Sequence, residues 1–241
     1  MPLEVKLIAH TCDPTRVVAA AAKLCYSPSS ASDLFDGLDA AKVRAFLETL
    51  RSARHMSPFE HASFTYAIDG ISRVATHQIV RHRIASYSQQ SQRYVAMGEP
   101  CVVIPPKIAA HPEAAELFQE EARKAFSAYR RLLDMGIAKE DARFLLPHGW
   151  ETSLVLTMNA RELHHFFAVR TCRRAQWEIR DLARRMLRLA HETAPELFSS
   201  TGPSCITEHA CREAHSCGEP YPSVEALLDD AASPEDAERT S

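Results

Sequence analysis

Glycine is scarce, seven in 241 residues, and none falls in a GxGxxG or GxxxxGK pattern. The two common loops that cradle phosphates on backbone N–H groups are therefore missing, and a nucleotide would have to be held by side chains. Long apolar runs are missing too. No window reaches the roughly 18 apolar residues of a membrane span, and the opening MPLEVKLIAHTCDPTR lacks the basic start and apolar stretch of an export signal. The expectation is a cytoplasmic chain that meets no membrane. A large excess of either charge is also lacking: 28 basic residues face 31 acidic ones, for a net charge of -3. With no basic stripe, nucleic acid is a poor partner. The seven cysteines are an odd number and four are scattered singly, so a disulfide framework is not expected.

What is present is a core's worth of apolar residues, 46% of the chain, and an uneven distribution of charge. Residues 219–241 carry seven acids and one arginine, leaving 27 basic against 24 acidic residues elsewhere. Local basic pockets are affordable in such a body. The pattern predicts a strand at LEVKLIAH, then a helix at DPTRVVAAAAKLCYS with Asp13 as cap and Pro14 in its first turn. A serine-rich loop, SPSSASDLFDG, precedes a helix at DAAKVRAFLETLRSARH capped by Asp39. The alternation of Phe64, Tyr66 and Ile68 against Ser63, Thr65 and Ala67 predicts a strand ended by Asp69-Gly70. ISRVATHQIVRHR suits a helix, SQRYVAM and PCVVIPP extended chain, and residues 113–136 a long amphipathic helix. KEDARFLLP reads as a short helix stopped by Pro147 and ETSLVLTM as a strand. Asn159, with Glu162 three residues on, should cap the helix NARELHHFFAVR, and AQWEIRDLARRMLRLAHETAPELF should be another. Helices and strands mix without regular alternation, which predicts an α+β fold. One domain over 1–205 is expected, followed by a Cys/His-containing and then acidic mobile tail over 206–241.

Arginine forks can grip a phosphate bidentately, so the arginine clusters are the places to look for chemistry. Arg81, His82 and Arg83 occupy successive positions at an expected helix end and must fan out in different directions. If the following chain is extended, Gln89, Ser91 and Arg93 share one face, an arrangement suited to an anionic, hydrogen-bonding ligand. A cationic helix end followed by a polar edge strand accounts for the same residues. In NARELHHFFAVRTCRR, Arg161 and His165 share a helical face, and Arg170, nine residues after Arg161, points the opposite way at about 100° per residue. His164 and His165 diverge and have no carboxylate at ligand spacing, so no metal is expected there. SCITEHACREAHSC places Cys205, His209, Cys211, His215 and Cys217 every few residues, in a spacing that matches no zinc pattern.

Together these segments resemble the flavin-dependent thymidylate synthases. The family's signature, RHR, seven residues and Ser, is met by Arg81-His82-Arg83, IASYSQQ and Ser91. MSPFEH (56–61), DARFLLP (141–147), NARELHHFFAVR and AQWEIR follow the family's other segments in order, over residues ~15–205. The resemblance implies a homotetramer with active sites at subunit interfaces. It also implies that FAD and NADPH serve the methylation of dUMP to dTMP, with 5,10-methylenetetrahydrofolate as carbon donor. Carried over by motif, FAD contacts fall on Ser57, Arg81, His82, Arg83, Gln89, Asn159, Ala160, Arg161 and His165. Those for dUMP fall on Gln78, Ile79, Val80, Arg81, Gln89, Gln90, Ser91, Gln92, Arg93, Arg143 and Arg170, and Arg170 is the activating residue against the uracil. Two departures stand out: Gln89 where many relatives have Glu, and Ser57 where Thr is frequent. The competing expectations are a thymidylate synthase with a cysteine nucleophile, and a nucleic-acid-binding module.

Overall fold

The computed structural model of the chain describes residues 2–230. Four strands, β1 (Glu4–His10), β2 (Ser63–Ser72), β3 (Ala85–Gln89) and β4 (Glu151–Asn159), form one antiparallel sheet in the order β1-β2-β4-β3. The helices are α1 (Pro14–Leu24), α2 (Ala31–Asp36), α3 (Ala40–Ser52), α4 (Arg73–Ile79), α5 (Pro106–Ala109) and α6 (Pro112–Asp134). They continue with α7 (Lys139–Ala142), α8 (Ala160–Arg170), α9 (Trp177–Thr193), α10 (Pro195–Phe198), α11 (Ser204–Thr207) and α12 (Val224–Asp229). Single 3-10 turns span Ser57–His61 and Arg143–Leu145. This is the expected α+β architecture, an antiparallel sheet flanked by helices.

The period-2 pattern of β2 puts Phe64, Tyr66 and Ile68 fully into the core. On the other face Thr65 meets Thr157 of β4, their hydroxyls 3.0 Å apart. Asp69-Gly70 does not end the strand. Gly70 takes φ +74° and the ladder resumes at Ile71, so the pair makes a bulge, which a glycine in this region accommodates without a Cβ clash. The core side of the sheet is covered by α9, which packs on β1, β2, α4, α8, α10 and α12. Its Ile179, Leu182, Ala183, Met186, Leu187 and Ala190 are all fully buried, the i, i+3, i+4, i+7 stripe of an amphipathic helix. A smaller cluster of Met97, Tyr129, Ala142, Leu146 and Trp150 sits under α6.

Several expectations change. SPSSASDLFDG contains α2, capped by the Ser30 hydroxyl, which accepts from Asp33 N at 3.2 Å. The extended segment is IASYSQQ, not SQRYVAM. After Gln90 the chain turns, with Val95 N donating to Ser91 O at 3.0 Å, and Val102 keeps only an isolated bridge to Trp150. Helix α9 stops before Pro195, whose ring disfavours helical geometry in Ala194, and α10 starts anew. Packing also does not end at 205: Tyr221, Val224, Leu227 and Leu228 are buried and join the main core, α12 lying against α9. Their spacing within an acidic stretch hides four apolar anchors, so the expected mobile tail is not free before residue 230, and the rest of that expectation lies outside the described residues. Among the described residues no helix is long and apolar enough to cross a membrane.

Candidate active site

Helix α8 carries the centre of the site. Its start follows the sequence directly: the Asn159 side chain accepts from Glu162 N at 2.9 Å, and the helix runs from there to Arg170. Helix α4, capped by Ser72, ends at Val80, which delivers RHR into the turn before β3. That turn is tied down by Tyr87, whose hydroxyl lies 2.6 Å from the His82 carbonyl and 2.9 Å from the Ile79 carbonyl. Burial, with Glu162 adding to it, pushes the Tyr87 phenol up to about 12, so it stays a donor.

The two motifs meet at His82 and Arg170. The Arg170 guanidinium donates from Nε to His82 Nε2 at 3.1 Å and from Nη2 to the Gln78 carbonyl at 3.3 Å. An arginine can only donate, so His82 must present a lone pair at Nε2 and carry its proton on Nδ1. Nδ1 lies 3.4 Å from Glu162 Oε1, an ion-pair distance without hydrogen-bond alignment. His82 is 4% exposed, and burial followed by the charges of Arg170 and His165 pushes its pKa down to about 4, keeping it neutral. Burial likewise lowers the pKa of Arg170 and raises that of Glu162, which His165 partly opposes. The His165 ring lies against His82, centroids 5.3 Å apart, and Phe166 closes the other edge at 4.9 Å. His82, Glu162 and His165 offer ligand atoms within 4.8 Å of one another. A guanidinium already occupies the Nε2 lone pair, and its charge opposes a metal ion there.

On the outer side of α8, Arg54, Glu60, Asn159, Arg161 and His165 line a cavity of about 740 Å³. Ser57, Arg54 and Arg161 line an adjoining one of about 430 Å³. Glu60 pairs with Arg161 and holds its fork at the rim. His165 thus borders both this cavity and the His82–Arg170 cluster. Arg161 and Arg170 do face different ways, as their spacing implies.

A third group gathers at the start of α4. Arg73 donates from Nη2 to the Gln90 carbonyl at 2.9 Å, while its buried Nε has no partner. Burial lowers its pKa, and the nearby Arg143 lowers it further. Two guanidiniums held close repel unless an anion sits between them. Gln89 points inward, its amide N–H groups reaching Thr152 Oγ1 at 3.3 Å and Thr76 Oγ1 at 3.5 Å. Gln92 is buried with its Nε2 unpartnered, and Arg93 swings out to Glu140 at 2.9 Å. Gln89, Ser91 and Arg93 therefore do not share one face, because the chain turns between them.

Other expected residues are not gathered within the chain. Arg81 and Arg83 are exposed, and among the described residues no acid pairs with either. Val80 is exposed as well, whereas Ile79 and Ala160 are fully buried and can offer only backbone atoms. Residues that motif reading passed over are Arg54, Arg73, Thr76, Tyr87 and Thr152. Only Arg73 had a signal, a lone cation at a helix start, where the dipole disfavours it.

Comparisons with known proteins place the chain in a family. The model of the family described as thymidylate synthase complementing protein matches residues 6–196. A flavin-dependent thymidylate synthase of Geobacter sulfurreducens is 49% identical over 219 residues, covering 90% of this chain and 94% of the relative. The chain belongs to the flavin-dependent thymidylate synthases. Another member, from Clostridium tetani, is 44% identical over 234 residues, with 90% and 94% covered. Among solved structures, the UMP/dUMP methylase PolB from Streptomyces cacaoi bound with 5-Br dUMP superposes with a TM-score of 0.74 at 27% identity. That match covers 81% of this chain and 93% of the methylase.

Proposed function

We propose that the protein converts dUMP to dTMP with FAD bound, 5,10-methylenetetrahydrofolate giving the carbon and NADPH the electrons. The observation that carries this reading is the Arg170–His82–Gln78 constellation, in which a half-buried cation is locked by an uncharged imidazole and a backbone carbonyl. Set against a uracil ring, that cation favours negative charge on the pyrimidine and so makes C5 nucleophilic. A fixed charge in a dry pocket does this without reorganisation. His82 contributes by being neutral: a second cation beside Arg170 would push it away.

The residues of the outer cavity fit a flavin nucleotide. Arg54 and Arg161 supply forks for a pyrophosphate, Ser57 and Asn159 supply short polar groups, and no glycine-rich loop is needed. Bound there, FAD would supply redox chemistry by accepting hydride from NADPH and delivering it to the nucleotide. His165 reaches from this cavity to His82, which puts flavin and nucleotide sites in contact. Arg73 and Arg143 hold the dUMP phosphate, which resolves their mutual repulsion. Gln89 spends its N–H groups on the two threonine hydroxyls, which leaves its carbonyl to accept from the nucleotide; an amide takes no proton, so it is no base. Arg81 and Arg83, exposed and without acidic partners, meet the flavin of a neighbouring subunit in a homotetramer. Large apolar residues on the surface support such an assembly: Phe144 is 82% exposed, Tyr94 73%, Ile84 65% and Leu117 60%. The enzyme works in the cytoplasm. A protein nucleophile is not needed, and Cys172, two residues beyond Arg170, lines a different cavity. Anaerobic incubation of the FAD-loaded protein with NADPH, dUMP and methylenetetrahydrofolate tests the reading: dTMP is expected, and its absence from folded, flavin-loaded protein overturns it.

A further inference from the structure

Four of the seven cysteines converge on one place. Cys172 follows the end of α8, Cys205 lies in α11, and Cys211 and Cys217 lie on the segment between α11 and α12; all four line a single cavity of about 280 Å³. The other three, Cys12, Cys25 and Cys101, are exposed and line no part of it. His209 and His215 come from the same segment yet are not among the lining residues; besides the four thiols, the cavity holds the carboxylates of Glu208, Glu213 and Glu219.

The segment itself is unusual. Residues 208–220, EHACREAHSCGEP, have no helix or strand, no large apolar side chain and mostly exposed surfaces. Nothing hydrophobic explains their course across the end of α8. They are guided there by Arg173 Nε donating to Glu219 O at 3.1 Å and Arg174 Nη1 donating to His215 O at 2.9 Å. Cys217 lies between those ties, and Cys211 lies four residues before His215. Burial pushes the Cys172 thiol up, and Glu213, Cys217 and Cys205 push the same way against a backbone hydrogen bond from Arg174.

We propose that Cys172, Cys205, Cys211 and Cys217 form a tetrathiolate site for a soft divalent cation, zinc by its borderline-soft character and tetrahedral habit. Binding replaces four S–H protons by four metal–sulfur bonds, releases four protons and changes no oxidation state. The resulting centre carries two negative charges; Arg173 and Arg212 line the same cavity, each already paired with a carboxylate, Asp230 and Glu208. Four protein ligands leave no open position, so the role is structural. Among the described residues no three of these sulfurs lie within 4.8 Å of one another. Binding therefore draws the exposed loop inward, the folding-coupled behaviour of small metal sites. Because Cys172 is two residues from Arg170, the ion fastens the end of α8 to the C-terminal segment.

The test uses the full, untagged chain, reduced and purified without chelator from zinc-supplemented culture. Elemental analysis is expected to find about one zinc per chain, and exchange into Co²⁺ to give an intense thiolate-to-cobalt charge-transfer band. Cys211→Ser and Cys217→Ser, both on the exposed loop, should each cut zinc content at least tenfold and abolish the band while far-ultraviolet circular dichroism stays unchanged. Cys12→Ser should retain both. The proposal is overturned if reduced wild-type protein takes up neither ion, if the loop variants bind like wild type, or if the native chain is lighter by two hydrogens, which marks a disulfide instead.

Discussion

Replacing His82 by leucine removes the acceptor that holds Arg170 Nε at 3.1 Å. A hydrogen bond to a charged group is worth about 1.5–3 kcal/mol, and its loss inside a half-buried site leaves a guanidinium N–H with no partner. If the charge of Arg170 works only when locked, that energy is lost from the transition state, and kcat/KM for dUMP falls about 10- to 100-fold. Glutamine can place a carbonyl oxygen where Nε2 sits, so His82→Gln should recover most of the loss. Both variants are assayed for dTMP at saturating FAD, with FAD affinity measured separately by fluorescence, because His82 packs against His165, which lines the flavin cavity. The acid side of the rate profile adds a check. Protonation would put an N–H on Nε2, facing the guanidinium, and with a pKa of about 4 only about one His82 in a hundred is charged at pH 6. No fall in rate from this group is expected above about pH 5. The reasoning is refuted if His82→Gln is as impaired as His82→Leu, or if His82→Leu matches wild type at saturating FAD.

Arg73→Ala and Arg143→Ala should each weaken dUMP binding about 10- to 100-fold, the loss of a charge-assisted hydrogen bond, and leave deoxyuridine binding unchanged; titration calorimetry with both ligands decides. Buried His82 and half-buried His164 both have pKa values pushed down to about 4 by loss of solvent, against 6.5 when unfolded, so the unfolded chain binds protons first. Unfolding free energy should therefore rise with pH between about 4 and 6.5, by up to about 3 kcal/mol per histidine, and level off above; urea melts across this range that stay flat would contradict it. Asn159→Ala removes the cap of α8 and should cost about 1 kcal/mol in the apo protein, while Asn159→Asp should not, as read from thermal melts.

The parts of the site that lie within one local pattern were legible in the sequence. Asn159 with Glu162 three residues on is a capping signal, and it sets the start of α8 and hence the opposite facing of Arg161 and Arg170. The RHR motif at the end of a helix was legible for the same reason, since helical period and hydroxyl cap are properties of adjacent residues. What escaped depends on distant partners. The turn at Ser91–Val95 breaks the expected alternation because the ladder to β4 ends at Gln89 and Arg93 finds Glu140 instead. Arg73 gains significance only from Arg143, seventy residues away, and Tyr87 only from the carbonyls it clamps. In the acidic C-terminal stretch, Tyr221, Val224 and Leu227 form no run, so composition suggested mobility where three-dimensional packing supplies a groove.

The most direct test separates the two halves of the chemistry in Arg170→Ala. In anaerobic single-turnover experiments with FAD-loaded enzyme, bleaching of the flavin by NADPH should stay within a few-fold of wild type. Formation of dTMP should fall by about 10²–10³, the effect of removing one preorganised charge from a developing anion. Equal loss of both signals, or dTMP formed at the wild-type rate, would contradict the assignment of Arg170 as the group that activates the pyrimidine.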